Sequence, residues 1–298
     1  MKRILTILLV LLLALLPAAA FAGTVVTSFY PIYLFTLNLT RGLDGVTVRN
    51  LASPGTGCLH DYQLQTGDMK ALSDADAFLI NGAGMESFLD RVFQAFPDLP
   101  VITAADGIPL LSDTGAEEVG DKDPSETVNA HVWLDAGNAS KMVRNLSDGL
   151  VRIFPQHKAA IEANRDEYVS RLEKLDSELR EGLKDLPHKD IVTFHDAFPY
   201  FAKAYGLNVV AVVRREPGEA LSPAQLAKLT DTVRRLGTPP LFTEPQYEDL
   251  AAKTLAAETG AKVYQLDPAV TGPDADIPAD YYETVMRRNM ETLKTALS

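Results

Sequence analysis

The chain has 298 residues, 46% of them hydrophobic and 23% charged, with 28 Lys plus Arg against 40 Asp plus Glu and a formal net charge of -12. That mix is too apolar for a disordered chain and too poor in Gly and Pro for a fibrous repeat. The acidity argues against nucleic acid as a partner, and a single cysteine excludes an intramolecular disulfide and any CxxC-type zinc or redox site.

The chain opens with Lys2 and Arg3, an apolar run from Ile4 to Leu16, Pro17, and then Ala20-Phe21-Ala22. A positive start, a short apolar core and a small-x-small cleavage pattern read as a secretory signal peptide over residues 1–22. The run is shorter than the roughly 18 residues that a membrane span needs. No cysteine follows it, so a bacterial lipoprotein anchor is not expected. Removal of 22 residues leaves 276, and the loss of Lys2 and Arg3 takes the charge from -12 to -14. The product is expected to be soluble and exported to the periplasm.

The mature chain alternates strands and helices. Thr24–Tyr30, Val46–Leu51, Ala77–Ile80 and Val101–Ala104 read as strands; 31–41, 61–74 and 85–96 read as helices. Such alternation predicts a parallel sheet covered on both faces. Residues 112–129 break the pattern with Gly, Asp, Glu and Pro, and read as an acidic surface loop with a solvated face. After His131–Asp135 a helix is expected, with Asn138 as its N-cap and Pro155 at its end. The segment up to Pro187 places Ile161, Tyr168, Leu172, Leu175, Leu179 and Leu183 on one stripe of a charged helix of about 28 residues, about 42 Å long. Glu167–Arg171 and Asp176–Arg180 are favourable i,i+4 pairs on it. That length suits a strut along two lobes; a coiled-coil arm would need a longer and more uniform heptad pattern. Beyond the strut the alternation resumes, with strands at 191–194, 209–213, 241–243 and 263–266 and helices at 199–205, 223–236, 247–259 and 279–297. The expected fold class is α/β: two lobes, each a parallel sheet flanked by helices, joined by one long rigid helix. The boundaries are a signal peptide at 1–22, an N-terminal lobe at 23–155, a linking helix at 156–187 and a C-terminal lobe at 188–298.

Of five histidines, His157 and His188 lie in charged or Pro-flanked surroundings and read as surface residues. His60, His131 and His195 share a different position: each stands beyond a predicted strand or segment end. Asp267 and Glu244 stand at the ends of Val-Tyr-Gln-Leu and Leu-Phe-Thr. Open α/β sheets bind ligands outside the carboxyl ends of their strands. Imidazoles with a carboxylate suit a borderline cation such as zinc, held in the cleft between lobes. Taken singly, each histidine reads first as a cap or a hydrogen-bonded core residue; what favours a site is that all three recur at strand ends. Cys58, two residues before His60, reads as a small buried apolar side chain beside the cleft. Trp133 reads as core.

Longer strings add a resemblance. Gly57-Cys58-Leu59-His60-Asp61-Tyr62, with Gly67-Asp68 and Leu72-Ser73-Asp74-Ala75-Asp76 behind it, resembles the first ligand segment of the zinc and manganese solute-binding proteins of bacterial ABC transporters (the cluster A-I metal-binding family). Asn129-Ala130-His131-Val132-Trp133-Leu134-Asp135 is similar to the second, and Thr193-Phe194-His195-Asp196-Ala197-Phe198-Pro199 to the third. Phe242-Thr243-Glu244-Pro245-Gln246 and Leu266-Asp267-Pro268 resemble the late segments. The match runs in order over essentially the whole mature chain. It implies His60, His131, His195 and Asp267 as metal ligands, with the third histidine, where manganese members carry Glu, pointing to the zinc type. It implies a periplasmic Zn²⁺-binding protein, not an enzyme, that works as a monomer with an ABC permease in the inner membrane; a periplasmic metallochaperone is a candidate second partner. The chain departs from the family in having Cys58-Leu59 where Pro is usual, and in having no histidine in 112–129. A zinc hydrolase using the three histidines and a water, with Glu244 as base, and an adhesin on the same fold are the alternatives; no HExxH supports the first.

Overall fold

The computed structural model describes residues 22–59, 62–111, 117–119, 128–213, 222–246 and 250–298. The leader and most of the acidic loop lie outside the described residues. No helix among those described is long and apolar enough to cross a membrane.

The first lobe is built on β1 (Gly23–Thr27), β2 (Val46–Asn50), β3 (Ala77–Ile80) and β4 (Val101–Thr103). They form a parallel sheet in the order β2-β1-β3-β4. Its central strand β3 is buried end to end, as an apolar run such as Ala-Phe-Leu-Ile requires. Helices α1 (Tyr30–Leu39), α2 (Thr66–Ser73), α3 (Leu89–Ala95) and α4 (Ala136–Ile153) complete the lobe. The second lobe has β5 (Glu117–Val119), β6 (Asp190–Thr193), β7 (Asn208–Val213), β8 (Leu241–Thr243) and β9 (Val263–Gln265), all parallel, in the order β5-β7-β6-β8-β9. Its helices are α6 (Pro199–Tyr205), α7 (Pro223–Arg235), α8 (Leu250–Thr259) and α9 (Tyr281–Ala296), and the long α5 (Lys158–Leu183) runs between the lobes.

The strut follows its sequence pattern. α5 has 26 residues, about 39 Å, and Ile161, Tyr168, Leu172, Leu175, Leu179 and Leu183 are all buried. One continuous core takes side chains from both lobes and from this stripe: Phe35 and Val143 on one side, Phe201 and Met286 on the other.

Several local expectations are corrected. The helix after His131–Asp135 is capped by Asp135, whose Oδ1 accepts from the backbone N–H groups of Gly137 and Asn138. The acidic loop is not loop throughout, because residues 117–119 add a parallel strand beside β7 in the second sheet. The segment 85–96 is helical only from Leu89, since the Gly82-Ala83-Gly84 stretch takes positive φ throughout and Glu86 turns back onto it. Of the two i,i+4 pairs, Asp176–Arg180 forms at 2.9 Å. Glu167 instead meets Arg41, and Arg171 reaches Glu283 at 2.9 Å.

The Arg171–Glu283 pair joins α5 to α9 with the carboxylate almost fully buried. Burial raises the Glu283 carboxyl pKa, and the guanidinium opposes that rise. Removing one partner of a buried pair strands the other, at a cost of about 3 kcal/mol or more. Arg171→Ala is expected to lose about that much in urea denaturation, and the double variant Arg171→Met/Glu283→Leu to recover most of it.

Candidate metal centre

The strands of both sheets end at the same cleft. β6 runs through Phe194 into His195, β8 into Glu244 and β9 through Leu266 into Asp267. His131 comes from the first lobe, ahead of a short helical turn at Val132–Leu134. Cys58 follows β2, in a loop that continues the sheet through Leu51 and Ala52, whose N–H groups bond to Thr27 and Ser28. Gly57 turns that loop with φ +83°, a conformation that disfavours any residue with a Cβ. The Pro54 carbonyl accepts from Gly272 N–H, tying the loop to the second lobe.

His131 and His195 meet across the cleft, with ring centroids 4.8 Å apart and planes at 83°. His131 is buried; His195 keeps about a fifth of its side chain exposed. Each ring has one nitrogen held from outside. Nδ1 of His195 lies 2.7 Å from Oε1 of Glu244, and Gln246 donates to the other Glu244 oxygen. Nδ1 of His131 lies 3.2 Å from Oδ1 of Asn129, which also accepts from the His131 backbone N–H at 3.0 Å. With both Nδ1 atoms donating, the ring lone pair falls on Nε2 of each histidine, the tautomer that a metal ligand needs. Asn129 also donates from Nδ2 to the Asp196 carbonyl at 2.7 Å, so one side chain orients His131 and bridges the lobes.

Cys58 Sγ lies 3.4 Å from His131 Nε2. Donor atoms of Cys58, His131 and His195 all fall within 4.8 Å of one another. Burial raises the Cys58 thiol pKa, and the Glu244 carboxylate adds to the rise. Cys58 thus lies beside the cleft, as the sequence reading expects, and its sulfur in addition meets His131.

The other expected residues are placed differently. His60 lies outside the described residues. Asp267 is buried but is not in the 4.8 Å group. Its Oδ1 accepts from Ala269 N–H at 2.8 Å, and its backbone is clasped by Asn289 on both sides. Burial raises its carboxyl pKa, Ala269 N–H and Arg288 lower it, and Glu244 raises it further. Glu244, which the sequence offers as a fifth ligand or a base, has both oxygens engaged by His195 and Gln246. Asn129 is the functional residue that sequence reasoning missed. Its only signal was its place two residues before His131, where an Asx side chain readily bonds the backbone ahead of it.

A layer behind His131 completes the support. Asn81 Nδ2 donates to the Ala130 carbonyl at 3.0 Å. Glu86 holds the Asn81-Gly82 turn by accepting from both backbone N–H groups, at 2.7 and 3.0 Å. Burial pushes the Glu86 pKa up to about 7, against the lowering effect of those bonds.

A family model described as the zinc-uptake complex component A, periplasmic, matches residues 25–296. The zinc-binding lipoprotein AdcA of Streptococcus pneumoniae is 33% identical over 277 residues, covering 91% of this chain and 55% of that protein. The high-affinity zinc uptake system protein ZnuA of Bacillus subtilis is 30% identical over 283 residues, covering 92% and 87%. The crystal structure of the Zn(II)-bound ZnuA-like domain of Streptococcus pneumoniae AdcA superposes with a TM-score of 0.77 at 29% identity, covering 93% and 99%. The chain spans about half the length of the streptococcal relatives. Two parallel-sheet lobes joined by a long helix define the class, a two-lobe α/β architecture shared with that ZnuA-like domain. The chain belongs to the zinc-uptake complex component A family.

Two expectations follow from this geometry. Loss of an outer partner that orients a ligating imidazole typically costs 10–100-fold in metal affinity. Glu244→Ala is expected to lower Zn²⁺ affinity by about that factor in chelator competition, with the far-ultraviolet dichroism unchanged. For Glu86, the folded pKa of about 7 exceeds the reference value of 4.5. The folded state then binds the extra proton between those values, so stability falls as pH rises through that window, by about 3 kcal/mol in all. Glu86→Gln should flatten this slope in denaturation series from pH 4.5 to 8. The variant should be less stable at the acid end, because its amide NH₂ faces a backbone N–H.

Proposed function

We propose that the protein captures Zn²⁺ in the periplasm, to which a signal peptide directs it, and delivers the ion to an ABC permease of the inner membrane. The observation that carries this reading is the pair His131 and His195, one from each lobe, meeting at a ring-centroid distance of 4.8 Å with both Nδ1 atoms held. The resemblance of the ligand segments implies His60 as the third imidazole and Asp267 as a fourth ligand. Three nitrogens and one carboxylate suit zinc better than manganese. The protein acts as a monomer and performs no chemistry on its cargo.

A hydrolase needs an open coordination position and a free base. Engagement of both Glu244 oxygens weighs against that alternative. Name-level support comes from the relatives described as zinc-binding and zinc-uptake proteins.

Imidazoles ligate only when deprotonated, so zinc binding should weaken as pH falls below about 6.5. Zinc at about 1,000 times its Kd should stabilise the fold by about 4 kcal/mol, seen as a rise in Tm that a chelator reverses. His131→Ala and His195→Ala should each abolish that rise. An unchanged zinc-dependent Tm in both variants would refute the assignment.

A further inference from the structure

We propose that the Cys58 sulfur is itself a metal ligand, standing with His131 and His195 in one donor set, with Asp267 left in the cleft wall. This rests on the zinc-capture reading above. The argument is geometric. Zn–S of about 2.3 Å and Zn–N of about 2.0–2.1 Å at a tetrahedral angle put sulfur and nitrogen ~3.6 Å apart. Cys58 Sγ and His131 Nε2 already stand 3.4 Å apart, so this edge of the tetrahedron exists before any ion arrives. The donor atoms of Cys58, His131 and His195 lie within 4.8 Å of one another, so closing on an ion needs a contraction of about 1 Å. Asp267 is outside that group, with its Oδ1 accepting from Ala269 N–H and its backbone held by Asn289. The route to the site is local to the loop after β2, where Gly57 sets the turn that precedes Cys58.

The step is a coordination, not a redox change. The S–H proton leaves to solvent as the sulfur–metal bond forms, and neither sulfur nor metal changes oxidation state. A thiolate among imidazoles makes the site softer than three imidazoles and a carboxylate. It should discriminate further against Mn²⁺, which prefers oxygen.

Co²⁺ is the probe, because its d–d bands report coordination while a near-ultraviolet charge-transfer band appears only with thiolate. Wild-type protein titrated with Co²⁺ should show both. Cys58→Ser should lose the charge-transfer band and keep weakened d–d bands. Asp267→Asn should keep the charge-transfer band, and His131→Ala should lose all bands. Wild-type protein that binds Co²⁺ with d–d bands but no charge-transfer band would overturn the sulfur ligand and leave the histidine site standing. Wild-type protein that binds neither Co²⁺ nor Zn²⁺ would overturn both. The wild-type spectrum decides the matter even if Cys58→Ser fails to fold.

Discussion

The site depends on a buried hydrogen bond between the lobes. Trp133 is fully buried, and its indole Nε1 donates to the Pro268 carbonyl at 2.8 Å. Its own carbonyl accepts from Tyr282 of α9. A buried indole N–H left unpaired would cost about 1–3 kcal/mol, so the two lobes are held in register at this point. Pro268 follows Asp267, and Trp133 lies two residues after His131. The bond that holds the lobes therefore also fixes the distance between the two walls of the cleft. Phe29 packs edge-on against the same indole, and His131 lies tilted beside it.

This lock shapes how the cleft can move. The core is shared between lobes along the stripe of α5, and opening it by a wide hinge would expose large apolar side chains to water. Rearrangement then falls to the loops that carry the cleft side chains. Asn129 joins the His131 segment to the Asp196 carbonyl, and the Tyr200 hydroxyl links the Asn129 and Leu111 backbones. These are few and partly buried bonds, which makes this rim easier to rearrange than the core beneath it.

Periodicity in the sequence was enough for the strut, because the apolar stripe of a two-sided helix repeats at helical spacing whatever it packs against. The eight strands that the sequence marks appear at their expected places, with ends shifted by a few residues, since apolar runs bounded by Gly and Pro are local signals. Arg171 shows where such signals stop. At i,i+4 it faces Glu167, yet it pairs with Glu283, 112 positions further along the chain. The buried carboxylate needs a cation more than the exposed one does. Residues 117–119 carry no strand pattern and still enter the second sheet, because the edge of β7 supplies backbone partners that the local sequence cannot reveal.

By itself the sequence determined the α/β class, the strut, and His131 and His195 as strand-end and segment-end imidazoles, because these are properties of short spans and their spacing. Only the tertiary structure decided that the two rings meet, that Asn129 and Glu244 hold their outer nitrogens, that Asp267 stands apart, and that Cys58 joins the cluster. The reason is distance along the chain. His131 Nε2 and Cys58 Sγ are 73 residues apart in sequence and 3.4 Å apart in space. No local pattern encodes such a contact; it arises when two sheets and a shared core bring their loops to one cleft.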